Sequence, residues 1–256
     1  MFQGTDTLDL SIKRKSGETG ESDFQGDGQG NVPKDTVLVL DAKSKLGEEV
    51  VLQMILKGIK VKTLVRKKEE AQVAFGQYVS CVESSLDDRA SLRALLKGVK
   101  SVVVTGGMGF DKGQRLMEAC KSQEVDQVVL MSSYVKRESF FEKILVKSEQ
   151  SILEDEEREQ MVATSGVPYT IVRGGVLEDS LERSEAIKIS RSGKLRGGSV
   201  SRSDLAYASV ACLDFKPQNT TIELVPNSSS SSPGDDSIVL VESEEDWKVA
   251  LESELI

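Results

Sequence analysis

The chain has 256 residues, is 38% hydrophobic and 29% charged, and carries a formal net charge of -9. That length suits one domain with a sizeable core, and the acidic balance argues against a sequence-independent nucleic-acid binder, which needs a basic surface. With no histidine at all, Ser-His-Asp and Cys-His chemistry are excluded, and three scattered cysteines (Cys81, Cys120, Cys212) without a CxxC spacing offer no zinc site. They read as buried free thiols of a reducing compartment. No apolar run is long enough to span a membrane, and no signal peptide is visible.

Residues 1–34 are polar and Gly-rich and read as a disordered arm, in which Leu8–Ile12 is either solvated tail or a docked edge strand. The pivotal stretch is Asp35–Gly58. Val37, Leu38, Val39 and Leu40 form a continuous apolar run, as expected of a parallel strand covered on both faces. A tight turn follows. Val50, Val51, Met54 and Ile55 then recur at helical spacing up to a glycine stop at Gly58. A strand, a turn and a helix in this order open a dinucleotide-binding fold, in which the helix N-terminus faces a diphosphate. Yet Asp41 and Ser44 stand where such a turn carries glycines, and only Gly47 remains. Asp41 puts a carboxylate beside the diphosphate unless it caps the helix or faces away.

Further strands are expected over 60–66, 78–82, 100–105, 127–132 and 169–173, with helices over 67–75, 86–98, 112–122 and 138–164 between them. This alternation predicts an α/β fold: a doubly wound parallel sheet, Rossmann-like, with right-handed crossovers. Beyond it come a weak strand at 186–190, a helix at 201–213, a strand at 221–225, a Ser-rich linker from Asn227 to Gly234, and a short strand and helix carrying Trp247. The expected division is an arm (1–34), a Rossmann NAD(P)-binding-like domain (35–226) and a linker with C-terminal strand and helix (227–256). Lys57, Lys60, Lys62, Arg66, Lys67 and Lys68 form a local basic patch around the second strand.

The ordered set Val37-Leu-Val-Leu…Gly47, Thr63-Leu-Val-Arg66, Leu92-Arg-Ala-Leu-Leu-Lys-Gly98, Leu130-Met-Ser-Ser133, Ser165-Gly-Val-Pro-Tyr-Thr-Ile-Val-Arg173, Ser201-Arg-Ser-Asp-Leu-Ala206 and Thr221-Ile-Glu-Leu224 resembles the NmrA-like atypical short-chain dehydrogenases/reductases. Its style, Ala74-Phe-Gly-Gln-Tyr78 included, is similar to a plant chloroplast branch of that family. That branch includes a protein of the plastid transcriptionally active chromosome and assembly factors for photosystem II. The resemblance implies chloroplast residence at the stroma, nucleoid or thylakoid periphery, protein partners in a plastid complex, and NADP(H) as the cofactor.

Position by position, the resemblance assigns cofactor contacts to Gly47 and Ser44 in the turn, and to Arg66, which pairs with a 2′-phosphate, with Lys67 assisting. It also assigns them to Ser85, where the family has an aspartate, and to Thr105 and Gly106 in the Gly-rich loop after the fourth strand. Arg66 reads equally as a solvated strand-end charge, and the Gly-rich loop as a plain turn. The family's catalytic pair is a tyrosine and a lysine one helical turn apart. Lys147 matches the lysine, but Lys143 stands at the tyrosine, Tyr134 falls at the wrong spacing, and Ser133 matches a carbonyl-polarising serine. Lys143 and Lys147 read equally as a solvated face. Three functions remain open: a non-catalytic scaffold or assembly factor with residual NADP(H) binding, which the three losses favour; an NADPH-dependent reductase; and an NADPH-binding redox sensor.

Overall fold

A computed structural model describes residues 34–106, 110–133, 156–178, 186–191, 195, 199–227 and 238–252. The expected arm, the linker and most of the long helix expected from residue 138 lie outside these residues. The described elements run β1 (Thr36–Leu40), α1 (Lys45–Leu56), β2 (Lys60–Val65), α2 (Lys68–Phe75), β3 (Val79–Glu83), α3 (Arg89–Leu96), β4 (Val99–Val104), α4 (Phe110–Ser122), β5 (Gln127–Ser133), α5 (Glu156–Thr164) and β6 (Tyr169–Gly174). Then come β7 (Val176–Glu178), β8 (Ile187–Ser190), β9 (Ser199–Ser201), α6 (Arg202–Phe215), β10 (Thr220–Pro226), β11 (Ile238–Val241) and α7 (Glu244–Glu252).

Nine strands form one sheet in the order β11-β8-β10-β6-β5-β4-β1-β2-β3, and β7 and β9 form a separate parallel pair. From β3 across to β10 all neighbours are parallel, as the alternating pattern requires; β8 and β11 complete that edge as antiparallel strands. The expected doubly wound sheet is therefore present, with an antiparallel edge that the sequence pattern does not announce.

The continuous apolar run of β1 divides between two cores. Val37 and Val39 join the cluster under α1, α6 and α7, whereas Leu38 and Leu40 join the cluster under α3, α4 and α5. This is the strand period of two acting on a doubly covered sheet. Helix α1 buries Val50, Val51 and Met54 against the first face, each contributing roughly 1.5–3 kcal/mol relative to exposure. Trp247 is 2% exposed in the same cluster, with its ring 5.5 Å from that of Tyr207. Helix starts follow cap chemistry: Ser44, Asp88 and Ser201 each accept a main-chain N–H of the first turn of α1, α3 and α6.

The functional consequence lies at β1. Its neighbours are β2 on one side and β4 on the other, so the connections leave in opposite directions. The crevice this opens at the C-terminal ends of β1 and β4 is where doubly wound sheets bind their ligands.

Candidate functional site at the β1–β4 crevice

The turn from β1 to α1 is tight because its parts approach at main-chain distance. Ser44 donates both its N–H (3.1 Å) and its hydroxyl (2.8 Å) to the Asp41 carbonyl, while the Ser44 Oγ accepts the Gly47 N–H at 3.0 Å. A Cβ on Gly47 would stand 2.2 Å from the Asp41 oxygen and 2.7 Å from the Ala42 Cα, so only glycine lets the helix approach the turn this closely. Asp41 itself has φ of 60°, a left-handed conformation that Asp tolerates better than most residues. Thr105, buried at the end of β4, closes the other wall: its hydroxyl donates to the Leu40 carbonyl at 2.8 Å and to the Asp41 carbonyl at 3.2 Å. Gly106 follows, and a Cβ there would stand 1.9 Å from the Asp41 carboxylate. Gly47, Ser44, Thr105 and Gly106 thus come together around Asp41.

Arg66 stands just past the end of β2, exposed, and makes no ion pair with a described residue. The rest of the basic patch is largely compensated. Lys57 pairs with Asp214 at 2.7 Å, Lys60 pairs with Asp35, and Lys67 pairs with Glu70 at 2.7 Å. Lys62 donates to the Leu95 and Lys97 carbonyls at 3.2 and 2.8 Å, and burial pushes its ammonium below the ordinary lysine range. Lys67 thus has a local carboxylate partner on the surface, whereas Arg66 has no ion pair among the described residues. Ser85, past the end of β3, donates to Asp87 Oδ2 at 2.7 Å. That hydroxyl, together with Lys112, holds the exposed Asp87 carboxyl below the usual carboxylate range. The acid that Ser85 contacts, Asp87, lies two residues beyond the position that the resemblance marks.

At the end of β5, Ser133 is 1% exposed and its hydroxyl donates to the Gly174 carbonyl at 3.0 Å. Tyr134, Lys143 and Lys147 lie outside the described residues. Next to Ser133 is a buried polar network that periodicity could not reveal. Ser132 donates to Glu159 Oε1 at 2.5 Å. Arg173, at the end of β6, spans Glu159 on α5 and Glu223 on β10, with Nε 3.1 Å from Glu159 Oε1 and Nη1 3.5 Å from Glu223 Oε1. Glu223 Oε2 also accepts the Leu195 N–H at 3.1 Å. The carboxylates, Glu159 first, push the Arg173 guanidinium above its ordinary value. One residue earlier on α5, Arg158 donates to the Gly106 and Met131 carbonyls, tying the loop after β4 to the end of β5.

A groove of about 750 Å³ between α4 and α5, lined by residues such as Met117, Lys121, Glu157 and Met161, shares no residue with this crevice. Among the described residues no group of three or more Cys, Asp or Glu side chains could hold a metal ion, and no helix is long and apolar enough to cross a membrane.

The residues present suit half of a dinucleotide. The N-terminus of α1 and the exposed Arg66 suit phosphate groups. The Asp41 carboxylate, lying against Gly106, does not suit a diphosphate drawn through the crevice.

A family model described as NAD(P)H-binding matches residues 42–216. Among curated proteins, the chain is 26% identical to an uncharacterised chloroplastic protein of Arabidopsis thaliana over 212 residues, covering 74% of this chain and 75% of that one. It is 29% identical to (4-alkanoyl-5-oxo-2,5-dihydrofuran-3-yl)methyl phosphate reductase of Streptomyces griseus over 179 residues, covering 70% of this chain but only 58% of that enzyme. Among solved structures, a short-chain dehydrogenase/reductase of Veillonella parvula in complex with NADP superposes with a TM-score of 0.62 at 13% identity, over 77% of this chain and 97% of that one. The anaerobillin reductase ChuY of Escherichia coli O157:H7 gives 0.61 at 18%, over 77% and 100%. At these identities the two structures speak for the fold alone.

Proposed function

The chain belongs to the NAD(P)H-binding family, and on that premise we propose that it is a non-catalytic Rossmann protein, a scaffold or assembly factor that retains weak NADP(H) binding. One observation carries the non-catalytic part. Ser133, the residue placed to polarise a substrate carbonyl, is buried and donates its hydroxyl to the Gly174 carbonyl. A hydride reduction also needs a proton donor at the carbonyl, and the residue at the family's tyrosine position is Lys143. Arg66, exposed at the end of β2, supports a preference for a 2′-phosphate. The chloroplastic description of the Arabidopsis relative supports a plastid location, and with it protein partners in a plastid complex.

The test is calorimetric titration with NADPH of the wild type and of Arg66→Ala, alongside an NADPH-oxidation assay over a panel of carbonyl compounds. The proposal expects binding that Arg66→Ala weakens by about tenfold, in line with loss of a charge-assisted phosphate contact, and no turnover. Turnover that Ser133→Ala abolishes would overturn it. That result would favour the second reading, an NADPH-dependent reductase, which the name of the Streptomyces relative supports. A redox sensor shares the binding expectation; it differs in that recovery of partners from an extract would depend on NADPH.

A further inference from the structure

We infer that Arg158 is a positioning residue for the dinucleotide site: it holds the crevice wall made by Thr105 and Gly106 from behind, and through that wall it sets cofactor affinity. The inference rests on the NADP(H)-binding reading above. Arg158 lies in the first turn of α5. Its neighbours Glu156 and Glu157 are exposed, whereas Arg158 is only 4% exposed. Its two terminal nitrogens divide between two strand ends. Nη1 donates to the Gly106 carbonyl just past β4, and Nη2 donates to the Met131 carbonyl in β5 at 3.3 Å. Met131 is buried within the sheet, so the second bond is made to a fixed point. Two bonds from one planar group set its orientation as well as its reach.

The wall so held faces the β1–β4 crevice, the place where a doubly wound sheet takes its ligand. Thr105 fastens it to β1: the N–H donates to the Leu40 carbonyl at 3.4 Å, and the hydroxyl donates to the Leu40 and Asp41 carbonyls at 2.8 and 3.2 Å. Gly106 already lies close against the Asp41 side chain, whose carboxylate a Cβ at position 106 would overlap. Little room is left on that side, and Arg158 closes the other. Without the guanidinium, Gly106 is free to move away from β1. A ligand then has to order this wall as it binds, which weakens binding by about five- to tenfold. The weakening does not depend on the 2′-phosphate, because Arg66 stands at the end of β2, on the opposite side of β1 from β4.

Arg158→Met and Arg158→Lys test this. Methionine removes the charge and the fork; lysine keeps the charge but replaces the planar fork with a single ammonium. The wild type and both variants would be titrated with NADPH and with NADH, which differ only in the 2′-phosphate. Hydrogen exchange would be followed in the ligand-free proteins at the end of β4 and, as a distant reference, in α7. The inference expects faster exchange at Thr105 and Gly106 with α7 unchanged, and NADPH and NADH binding weakened by the same five- to tenfold factor, about equally in the two variants. Should the methionine variant fail to fold, the lysine variant carries the same expectation. Wild-type NADPH affinity in Arg158→Lys would overturn the inference, because charge rather than the fork would then be what matters. So would unchanged exchange at the end of β4, or faster exchange there without weaker binding; each of these leaves the binding reading intact. Absence of NADPH binding in the wild type would overturn both.

Discussion

Replacing Arg173 with methionine should remove the guanidinium that two buried carboxylates, Glu159 and Glu223, share. Arg173 is 23% exposed at its side chain, Glu159 is 7% exposed and Glu223 is fully buried. Methionine fills much of the volume of the arginine stem, so the loss is mainly electrostatic. Removing one partner from a buried ionic cluster costs about 3–5 kcal/mol, and the partial exposure of Arg173 places this case near the lower end. A loss of about 3 kcal/mol is a large share of a typical total of about 5–15 kcal/mol, and for a chain of this size it lowers Tm by roughly 6–12 °C. Urea denaturation of Arg173→Met at about pH 8 reads the loss. Adding Glu223→Gln should recover much of the loss at pH 8. A penalty under about 1 kcal/mol would refute the claim that Arg173 neutralises this cluster.

Gly47→Ala should cost about 2 kcal/mol or more, within the range for overpacking against rigid neighbours, because the new Cβ meets main-chain atoms at 2.2–2.8 Å; chemical denaturation checks this. Trp247→Ala should cost about 3–5 kcal/mol, since the indole is 2% exposed within the core under α1, α6 and α7; thermal melts followed by circular dichroism read the loss. On the acid side, Asp88 is held below the usual carboxylate range by accepting from Ser91, and Asp246 by accepting from Ser243. A carboxyl with a depressed folded value contributes stability above its unfolded value near 4 and loses it as pH falls further, so Asp88→Asn and Asp246→Asn should flatten the acid limb of a stability–pH profile. Burial pushes the thiols of Cys120 and Cys212 up to about 12, so both should resist alkylation at pH 8 in the native protein and react fully once it is unfolded.

The parallel part of the sheet was legible because each strand is a short apolar run and each helix a periodic one, divided by polar turns. The place of β1 between β2 and β4, by contrast, came only with the structure. What the pattern could not supply is direction. Ile187–Ser190 reads as a strand, but nothing in four residues says that it runs antiparallel to β10. Glu223 was hidden for a related reason: alternation in Thr-Ile-Glu-Leu suggests an outward acid, whereas both faces of β10 are covered and the side chain is 0% exposed. At the crevice, the sequence exposed the substitution of Asp41 for a glycine, and spacing could go no further. Where the carboxylate lies depends on a left-handed backbone angle and on a glycine that is 65 positions away in the chain yet adjacent across the sheet. Ser133 was found by position, but its acceptor, Gly174, belongs to a neighbouring strand.

The place of β8 between β10 and β11 has a consequence for how the chain is made. Both of its neighbours are encoded downstream, so β8 emerges from the ribosome with neither partner in existence. The parallel strands from β1 to β6 precede β8 in the chain, but this edge waits for β10 and β11. A nascent chain halted before Ile238 would present β8 with one side unpaired, an open template for other strands. Premature termination in this region should yield insoluble chains rather than slightly shortened, working ones.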